Sequence, residues 1–278
     1  MMLVPKRVKK NITNVGKWTF FGIVLLFLYF PLIYIFLQSF NASSTGSSFT
    51  GFTLKWYSEM FRDRALMDSI YITISIAIFA TIISVILGTL FAIGINSLDK
   101  NRRKRMILLN NIPVLNADIV TGVFLMLTFQ IVAFMFPGVK VFGYYTMLFS
   151  HVFFCIPYVI LSVLPKLNEI DENLFDAALD LGCTPFGALR KVIIPSIKTG
   201  IITGALIAFT MSIDDFVISY MTTGHGVQNF SIWLFLIKNP FKNNAMQKAA
   251  AYNTLISITT ILILVAYNLF RKKKGNGK

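Results

Sequence analysis

Charged side chains are scarce in this sequence. Asp, Glu, Lys and Arg make up only 14% of its 278 residues, whereas soluble domains contain about 25%. Hydrophobic residues reach 55% of the chain. This composition excludes an ordinary soluble domain. Together with the long apolar runs described below, it predicts an all-α membrane protein that crosses the bilayer several times.

Cysteine and histidine are also rare. The chain has two of each, Cys155 and His151 in an apolar segment and Cys183 and His225 outside it. No C-x-x-C pair or Cys/His cluster is present, so a metal or redox site would lack ligands. Neither histidine has a nucleophile and a carboxylate close by in sequence, and we expect no catalytic residues. We interpret His151 as a hydrogen-bonded histidine of the protein interior.

A nucleotide-binding loop is missing as well. Residues 182–187 have the G-x-x-x-x-G spacing, but Ala188 and Leu189 stand where a P-loop has Lys and Ser/Thr. Without that lysine and hydroxyl the segment cannot hold nucleotide phosphates and their metal. We therefore predict that the chain is neither an ATPase nor another enzyme, and that it binds no cofactor of its own.

Long apolar segments are what the sequence has in place of these sites. A helix needs about 20 mostly apolar residues to cross the hydrocarbon core. Six segments qualify, at about 18–38, 69–96, 106–136, 144–164, 199–223 and 249–270. We predict a single transmembrane domain over 18–270, between a basic N-terminus at 1–17 and a basic tail at 271–278.

The distribution of lysine and arginine predicts the orientation of these spans. Segments 1–17, 97–105, 165–198 and 271–278 hold 19 of the 26 basic residues, and the alternate loops hold the rest. Both termini are therefore expected in the cytosol. The protein is expected to be a multi-pass protein of the plasma or inner membrane. The net charge of +14 is a signal of topology and of contact with lipid headgroups, not of nucleic-acid binding.

The connections and span interiors carry local signals too. Residues 38–52 predict a flexible external loop, and 54–67 an interfacial helix. Pro113 and its neighbouring asparagines predict a broken backbone in the third span. The pairs Gly88 with Gly94 and Gly200 with Gly204 predict close helix packing rather than ligand binding.

Three aspartates lie within the predicted spans, and no Lys or Arg accompanies them. They are Asp118, Asp214 and Asp215. An aspartate at the centre of a membrane helix costs about 2.5–3.5 kcal/mol. The carboxylates either cap a broken helix or stay protonated, or they line a pathway for a cationic solute. We favour the pathway, with the acids near the middle of their spans and with Ser212 and Tyr220 as hydrogen-bonding groups.

The longest polar insert, residues 171–197, has the pattern of two short helices around a turn. Gly182 suits a helix C-cap, Thr184-Pro185 suits a helix start, and Pro195 is expected to end the second helix. An apolar face is predicted from residues at helical spacing, namely Leu174, Phe175, Ala178 and Leu181. Two caps and an apolar face indicate a docking element rather than a solvated loop.

The insert also resembles a known motif. Asp176-Ala177-Ala178, Gly182, Val192 and Ile194-Pro195 stand at the spacing E-A-A-x3-G-x9-I-x-L-P of the EAA loop of binding-protein-dependent ABC importer permeases. The resemblance implies the type I importer fold, with a permease core at about 69–267 and a coupling loop at 165–198. It implies contact between this loop and a separate ATPase that binds ATP and Mg, with Asp176, Ala177, Ala178 and Gly182 as the contact core.

The likeness extends to the C-type permeases of spermidine/putrescine importers. The stretches that carry it are 31–41, 51–57, 117–122, 148–159 and 209–224. Ala117 departs from the family, which has proline there. The resemblance implies a polyamine cargo, a B-type second permease subunit, two copies of the ATPase and an external polyamine-binding protein. An ABC permease for a metal, amino acid or oxyanion, and a secondary transporter that works without ATP, remain alternatives.

Overall fold

The structure, a computed structural model, describes residues 6–43, 48–171, 173–224, 226–239 and 244–275. His225 and the outermost residues of both predicted basic termini lie outside these ranges. Within them the chain is helical apart from its connections and an isolated bridge between Asn41 and Phe52. The helices are α1 (Lys6–Ser39), α2 (Lys55–Arg62), α3 (Arg64–Asn96), α4 (Lys100–Leu115), α5 (Asp118–Met135), α6 (Tyr144–Asn168), α7 (Leu174–Asp180), α8 (Pro185–Ala188), a π-helical turn (Leu189–Ile193), α9 (Ile194–Ser196), α10 (Lys198–Asp214), α11 (Val217–Thr222), α12 (Phe230–Phe235) and α13 (Ala245–Gly275).

Four helices in the described part of the chain are long and apolar enough to cross a membrane. They are Lys17–Ser39 of α1, then α3, α5 and α6. A fifth span would join Pro185–Ser196 to α10, and these two pieces are bent by 70°. The sixth predicted span falls within α13, whose helix covers it. The all-helical prediction is confirmed, and the count of six stays a prediction.

Two of the predicted spans are interrupted in the structure. Between α4 and α5 the backbone is extended at Asn116 and Ala117, with ψ angles of 148° and 141°. Pro113, on which the predicted break was based, lies inside α4, and the break in the structure comes three residues later, at Asn116. The fifth predicted span is divided between α10 and α11, where Asp215 is extended with ψ 129°. Both interruptions fall beside an aspartate, so the predicted acids lie at the ends of helices, and their depth in the membrane stays a prediction.

The chain divides into two compact units, Met1–Arg64 with Ile237–Lys278, and Ala65–Leu236. In the first, the described residues of the connection after α1 are organised around Asn41, while residues 44–47 of the predicted flexible loop lie outside the described ranges. The Asn41 side chain accepts from the Ser43 and Thr50 amides at 3.1 Å each, and its backbone carbonyl accepts from the Trp56 indole at 2.6 Å. The helix predicted at 54–67 is present as α2 and ends at Arg62 because Asp63 is extended, so residues 64–67 belong to α3. Its interfacial location stays a prediction.

The second unit packs its helices around α6. A Cβ atom placed on Gly88 of α3 would lie 2.8 Å from Val159, and one on Gly204 of α10 would lie 3.2 Å from the Val159 Cα. Both helices therefore approach the same residue of α6 at backbone distance. Gly200 packs equally tightly, whereas nothing lies within 4 Å of a Cβ on Gly94. The packing role is confirmed for three of the four glycines.

Candidate functional site

The interruption between α10 and α11 carries the paired aspartates. Asp214 is the last residue of α10, and its side chain is exposed. Asp215 is extended and only 9% of its side chain is accessible, so the two neighbouring carboxylates face different surroundings. The helix resumes at Val217. An exposed and an enclosed acid thus sit side by side at one break.

The Asp215 carboxylate caps the helix that follows it. One oxygen accepts from the Ile218 amide at 3.3 Å, and the other accepts from the Ser219 amide at 2.7 Å and the Ser219 hydroxyl at 2.8 Å. A carboxylate in this position satisfies amides that have no partner within the helix. The capping interpretation, one of the two left open by the sequence, therefore describes Asp215.

Two further side chains close a buried network around this cap. The His151 Nδ1 donates to the Met147 carbonyl at 2.8 Å, and its Nε2 lies 3.3 Å from the Ser219 hydroxyl and 3.8 Å from the Asp215 carboxylate. The Asn229 amide donates to the Asp215 carbonyl at 3.0 Å and to the Ser219 hydroxyl at 2.9 Å. The network joins α6, α11 and the start of α12. It bears out the interpretation of His151 as a hydrogen-bonded interior histidine.

Sequence reasoning missed Ser219 and Asn229. Cap signals could have found both. Asp215 and Asn229 each stand just before a short apolar helix, and Ser219 is a residue of the first turn after Asp215. The Asn229 side chain accepts from the Ile232 amide at 2.9 Å. Their meeting with His151 has no signal in the sequence, since His151 and Ser219 are 68 positions apart.

Asp118 opens α5 and is exposed. Ala117, where the resembled family has proline, is extended and starts the helix with its carbonyl bonded to the Val120 amide at 2.9 Å. The Asp118 carboxylate acts electrostatically on Tyr158 of α6, and Asp215 does the same on Cys155, one turn earlier. Asp118 and Asp215 therefore lie near residues of α6 that are one turn apart, Tyr158 and Cys155.

The remaining pathway candidates differ in accessibility. Ser212 is 1% exposed, and its hydroxyl has no hydrogen-bond partner among the described residues. Tyr220 is 43% exposed, and its ring lies 5.5 Å from Phe216 and 5.6 Å from Phe235, centroid to centroid. Ser212 thus cannot reach a solute in this conformation, whereas Tyr220 belongs to an accessible aromatic cluster beside the break.

The predicted turn of the polar insert is present in detail. Gly182 has φ +85°, its amide donates to the Leu179 carbonyl at 2.9 Å, and the Cys183 amide donates to the Ala178 carbonyl at 3.0 Å. This pair of bonds is a Schellman C-cap of α7. The Thr184 hydroxyl accepts from the Gly187 amide at 3.1 Å and starts α8, with proline at its first position.

The insert has an inner and an outer surface. Ala178, Ala188 and Ile193 are buried, and Phe175 packs against the core of the second unit. The outer surface, which we call the coupling face, is exposed and combines apolar and acidic groups: Asp176, Ala177, Asp180, Leu181 and Gly182, with Phe186 beyond the turn. The four residues of the predicted apolar face do not share one surface: Phe175 and Ala178 lie on the inner surface, whereas Leu174 and Leu181 are 37% and 87% exposed.

The second helix ends one residue after Pro195, at Ser196, so the predicted stop before the next apolar run is confirmed to within one residue. The helical path continues from Pro185 to Ser196, and the 70° bend comes only at Ile197. A proline ring clashes with the carbonyl four residues earlier, and here that residue, Lys191, lies in the π-helical turn. The wider turn accommodates the ring. Ile194 and Pro195 remain on the surface, with Ile194 37% exposed.

Comparison with known proteins then identifies the class. The family described as the binding-protein-dependent transport system inner membrane component matches residues 106–273, which include both aspartate sites and the whole polar insert. The chain belongs to this family. It is an inner membrane transport component with several apolar helices, and the resemblance drawn from the EAA spacing is confirmed.

Individual relatives of this inner membrane component agree with the family. The spermidine/putrescine transport system permease protein PotC of Shigella flexneri is 29% identical over 260 residues, covering 93% of this chain and 95% of the relative. The putrescine transport system permease protein PotI of Escherichia coli K12 is 32% identical over 210 residues, 75% of each chain. A bacterial alginate ABC transporter, solved with its periplasmic protein bound to an alginate pentasaccharide, matches 93% of this chain with a TM-score of 0.69. That solved chain is covered over 94% of its length at 14% identity, so it shows the fold alone.

Proposed function

We propose that this inner membrane component is the permease subunit of an ATP-driven importer of polyamines. The observation that carries the proposal is the pair of exposed carboxylates, Asp118 and Asp214, each of which lies beside a break in a predicted span, with no Lys or Arg in α5 or beside the α10–α11 break. Acids without bases create a negative potential in a low-dielectric region, which attracts a chain of ammonium groups. The relatives named for spermidine and putrescine transport support this cargo.

Asp118, Asp214 and Tyr220 are proposed to contact the cargo as it passes. Tyr220 belongs to the three-ring cluster with Phe216 and Phe235, and aromatic faces attract ammonium groups by about 0.5–2 kcal/mol. Asp215 and Ser212, predicted from the sequence to belong to the same pathway, contribute at most through the shape of the break in the conformation described. Movement of the spans between outward and inward openings would expose these groups to each side in turn.

The coupling loop is proposed to receive the mechanical work of ATP hydrolysis. Asp176, Ala177, Ala178 and Gly182 would meet a groove of the cytosolic ATPase, with Ile194 and Pro195 supporting the second helix of the loop. Ala178 is buried, so its role is to hold α7 close to the body of the permease while its neighbours make the contact. ATP and Mg would bind to the ATPase, of which two copies serve two permease subunits.

The proposed topology completes this arrangement. Six spans, with both termini and the 165–198 loop in the cytosol, agree with the distribution of basic residues. The domain division proposed from the sequence stands with it: a transmembrane domain at 18–270 with a permease core at about 69–267. A B-type second permease subunit and an external polyamine-binding protein would complete the importer.

Reconstitution of the complete importer in proteoliposomes tests the proposal. We expect spermidine or putrescine, presented on the binding protein, to stimulate ATP hydrolysis and to accumulate inside the vesicles. The Asp118→Asn and Asp214→Asn variants should transport poorly at low cargo concentration. Stimulation by a metal, amino acid or oxyanion instead would identify another cargo, and uptake without ATP hydrolysis would identify a secondary transporter.

A further inference from the structure

The paired aspartates at the α10–α11 break are not equivalent. The Asp215 carboxylate accepts three hydrogen bonds from α11, and only 9% of its side chain is accessible. Asp214 is exposed, and none of the described residues donates a hydrogen bond to its carboxylate. A cationic cargo would have to displace three donors to reach Asp215, and it would displace none to reach Asp214.

We propose that His151, Ser219 and Asn229 are positioning residues that hold Asp215 as the cap of α11, and that Asp214 alone of the pair contacts the cationic cargo. This inference rests on the proposed function, since it divides the labour within that site. It explains why three buried polar residues are present, which the transport of a cation alone does not explain.

The orientation of the His151 ring follows from its hydrogen bonds. A carbonyl oxygen can only accept, so Nδ1 carries a proton toward Met147, 2.8 Å away. In the neutral ring Nε2 is then an acceptor, and the Ser219 hydroxyl has one proton for two acceptors, Nε2 at 3.3 Å and the Asp215 carboxylate at 2.8 Å. His151 is 1% exposed and Ser219 is fully buried, so no solvent competes for that proton.

Asn229 fixes the other side of the break. Its amide donates both to the Asp215 backbone carbonyl and to the Ser219 hydroxyl, while its own oxygen caps α12. The break is thus held at the backbone of Asp215 as well as at its side chain. Buried polar networks that are well satisfied fix one geometry, and loss of one member leaves the others without partners. The direction of the Asp214 side chain is a consequence of this geometry.

The Asn variants of the two aspartates separate their roles. Asparagine is as good an N-cap as aspartate but carries no charge. In the complete importer, Asp214→Asn should raise the KM for polyamine uptake about tenfold, the size expected from losing one partner of a charge contact at a partly accessible site. Asp215→Asn should leave the KM within about twofold of the parent value, because its single amide oxygen can still accept from the Ser219 amide and hydroxyl, and only the longer bond from the Ile218 amide is lost. An equal rise of KM in both variants would overturn the division of labour.

Variants of the network test the positioning role. Ser219→Ala and His151→Leu should lower the maximal uptake rate several-fold with little change in KM, and His151→Gln, whose amide reaches toward Ser219, should recover part of that rate. Thr210→Ala is the matched control, since the exposed Thr210 hydroxyl bonds only to the Leu206 carbonyl of its own helix. Network variants that behave like the control would overturn the positioning role.

A second measurement keeps this inference separate from the proposed function. The melting temperature of the purified complex without cargo should fall for Ser219→Ala and not for Asp214→Asn. If the wild-type importer does not respond to polyamines, the proposed function fails while the melting temperatures still report on the cap. If the importer responds and Asp214→Asn lowers the melting temperature as much as Ser219→Ala, Asp214 is a structural residue and the inference is wrong.

Discussion

Gly200 of α10 lies directly against the Ser162 carbonyl of α6, 2.8 Å from where a Cβ atom would stand. The Lys166 Cγ at 3.0 Å and the Val163 Cα at 3.2 Å also lie near the same point, so the shortest contact is with backbone even though one flexible side chain is close by. The helix that ends at Asp214, α10, can therefore pack this closely against α6 because residue 200 has no side chain. The position of the aspartate break depends on this contact at the opposite end of α10.

The Gly200→Ala variant should destabilise the protein. Overpacking a close contact costs about 1–3 kcal/mol, which outweighs the gain of about 0.5–1 kcal/mol from placing Ala in a helix. Gly94→Ala is the control, because that position has nothing within 4 Å of the added Cβ and obtains only the gain. The free energy of unfolding in mixed micelles should separate the two variants by about 1–3 kcal/mol. Equal stabilities would show that α10 shifts without cost.

Much of the local structure could be predicted from the sequence, and the cross-helix contacts could not. The C-cap at Gly182 and the helix start at Thr184 depend on residues within one turn, so their residue types suffice. The helix end beside Pro195 could be predicted within one residue from the proline itself, whereas the π-helical turn that precedes it has no signature in the residue types. Asp215 was assigned to the pathway because its partners, His151 and Asn229, come from other helices.

A buried ion pair stabilises the first unit. The Lys248 ammonium lies 2.5 Å from the Asp63 carboxylate, with 8% and 24% of the side chains accessible. Removing one partner leaves a poorly solvated charge, so Lys248→Met and Asp63→Asn should each cost about 2 kcal/mol of unfolding free energy. The double variant should cost less than the sum of the two, because the two side chains interact directly and their effects are coupled.

The exposed ion pair between Asp99 and Arg102 is the control for the Lys248 and Asp63 variants. Their atoms are 3.4 Å apart, but about three quarters of each side chain is accessible, at 77% and 75%. Arg102→Gln should therefore change the unfolding free energy by less than about 0.5 kcal/mol. Strictly additive effects of Lys248→Met and Asp63→Asn would mean that the buried pair contributes no coupling.

The two cysteines report on the orientation of the protein in the membrane. Cys183 is partly exposed beside the Gly182 turn, and Cys155 is fully buried within α6. A membrane-impermeant maleimide should label Cys183 of the chain expressed alone in inside-out vesicles and not in right-side-out vesicles. Cys183→Ser should abolish the labelling, since Cys155 is inaccessible. Labelling of Cys183 only in right-side-out vesicles would reverse the proposed topology.

The orientation of the coupling face depends on the backbone conformation of Gly182, which ends α7. At φ +85° a residue with a Cβ pays about 1–2 kcal/mol, except that asparagine tolerates this region better than alanine. Gly182→Ala should therefore weaken the Schellman cap, tilt the exposed residues of α7, and lower ATP-coupled uptake about fivefold or more in the reconstituted importer. Gly182→Asn should retain more of the uptake, although both substitutions add a side chain to the exposed turn. Since no atom lies within 4 Å of a Cβ at this position within the chain, the difference between Ala and Asn isolates the backbone from steric contact. Equal loss in the two variants would instead indicate that the glycine is needed because the ATPase approaches too closely for any side chain.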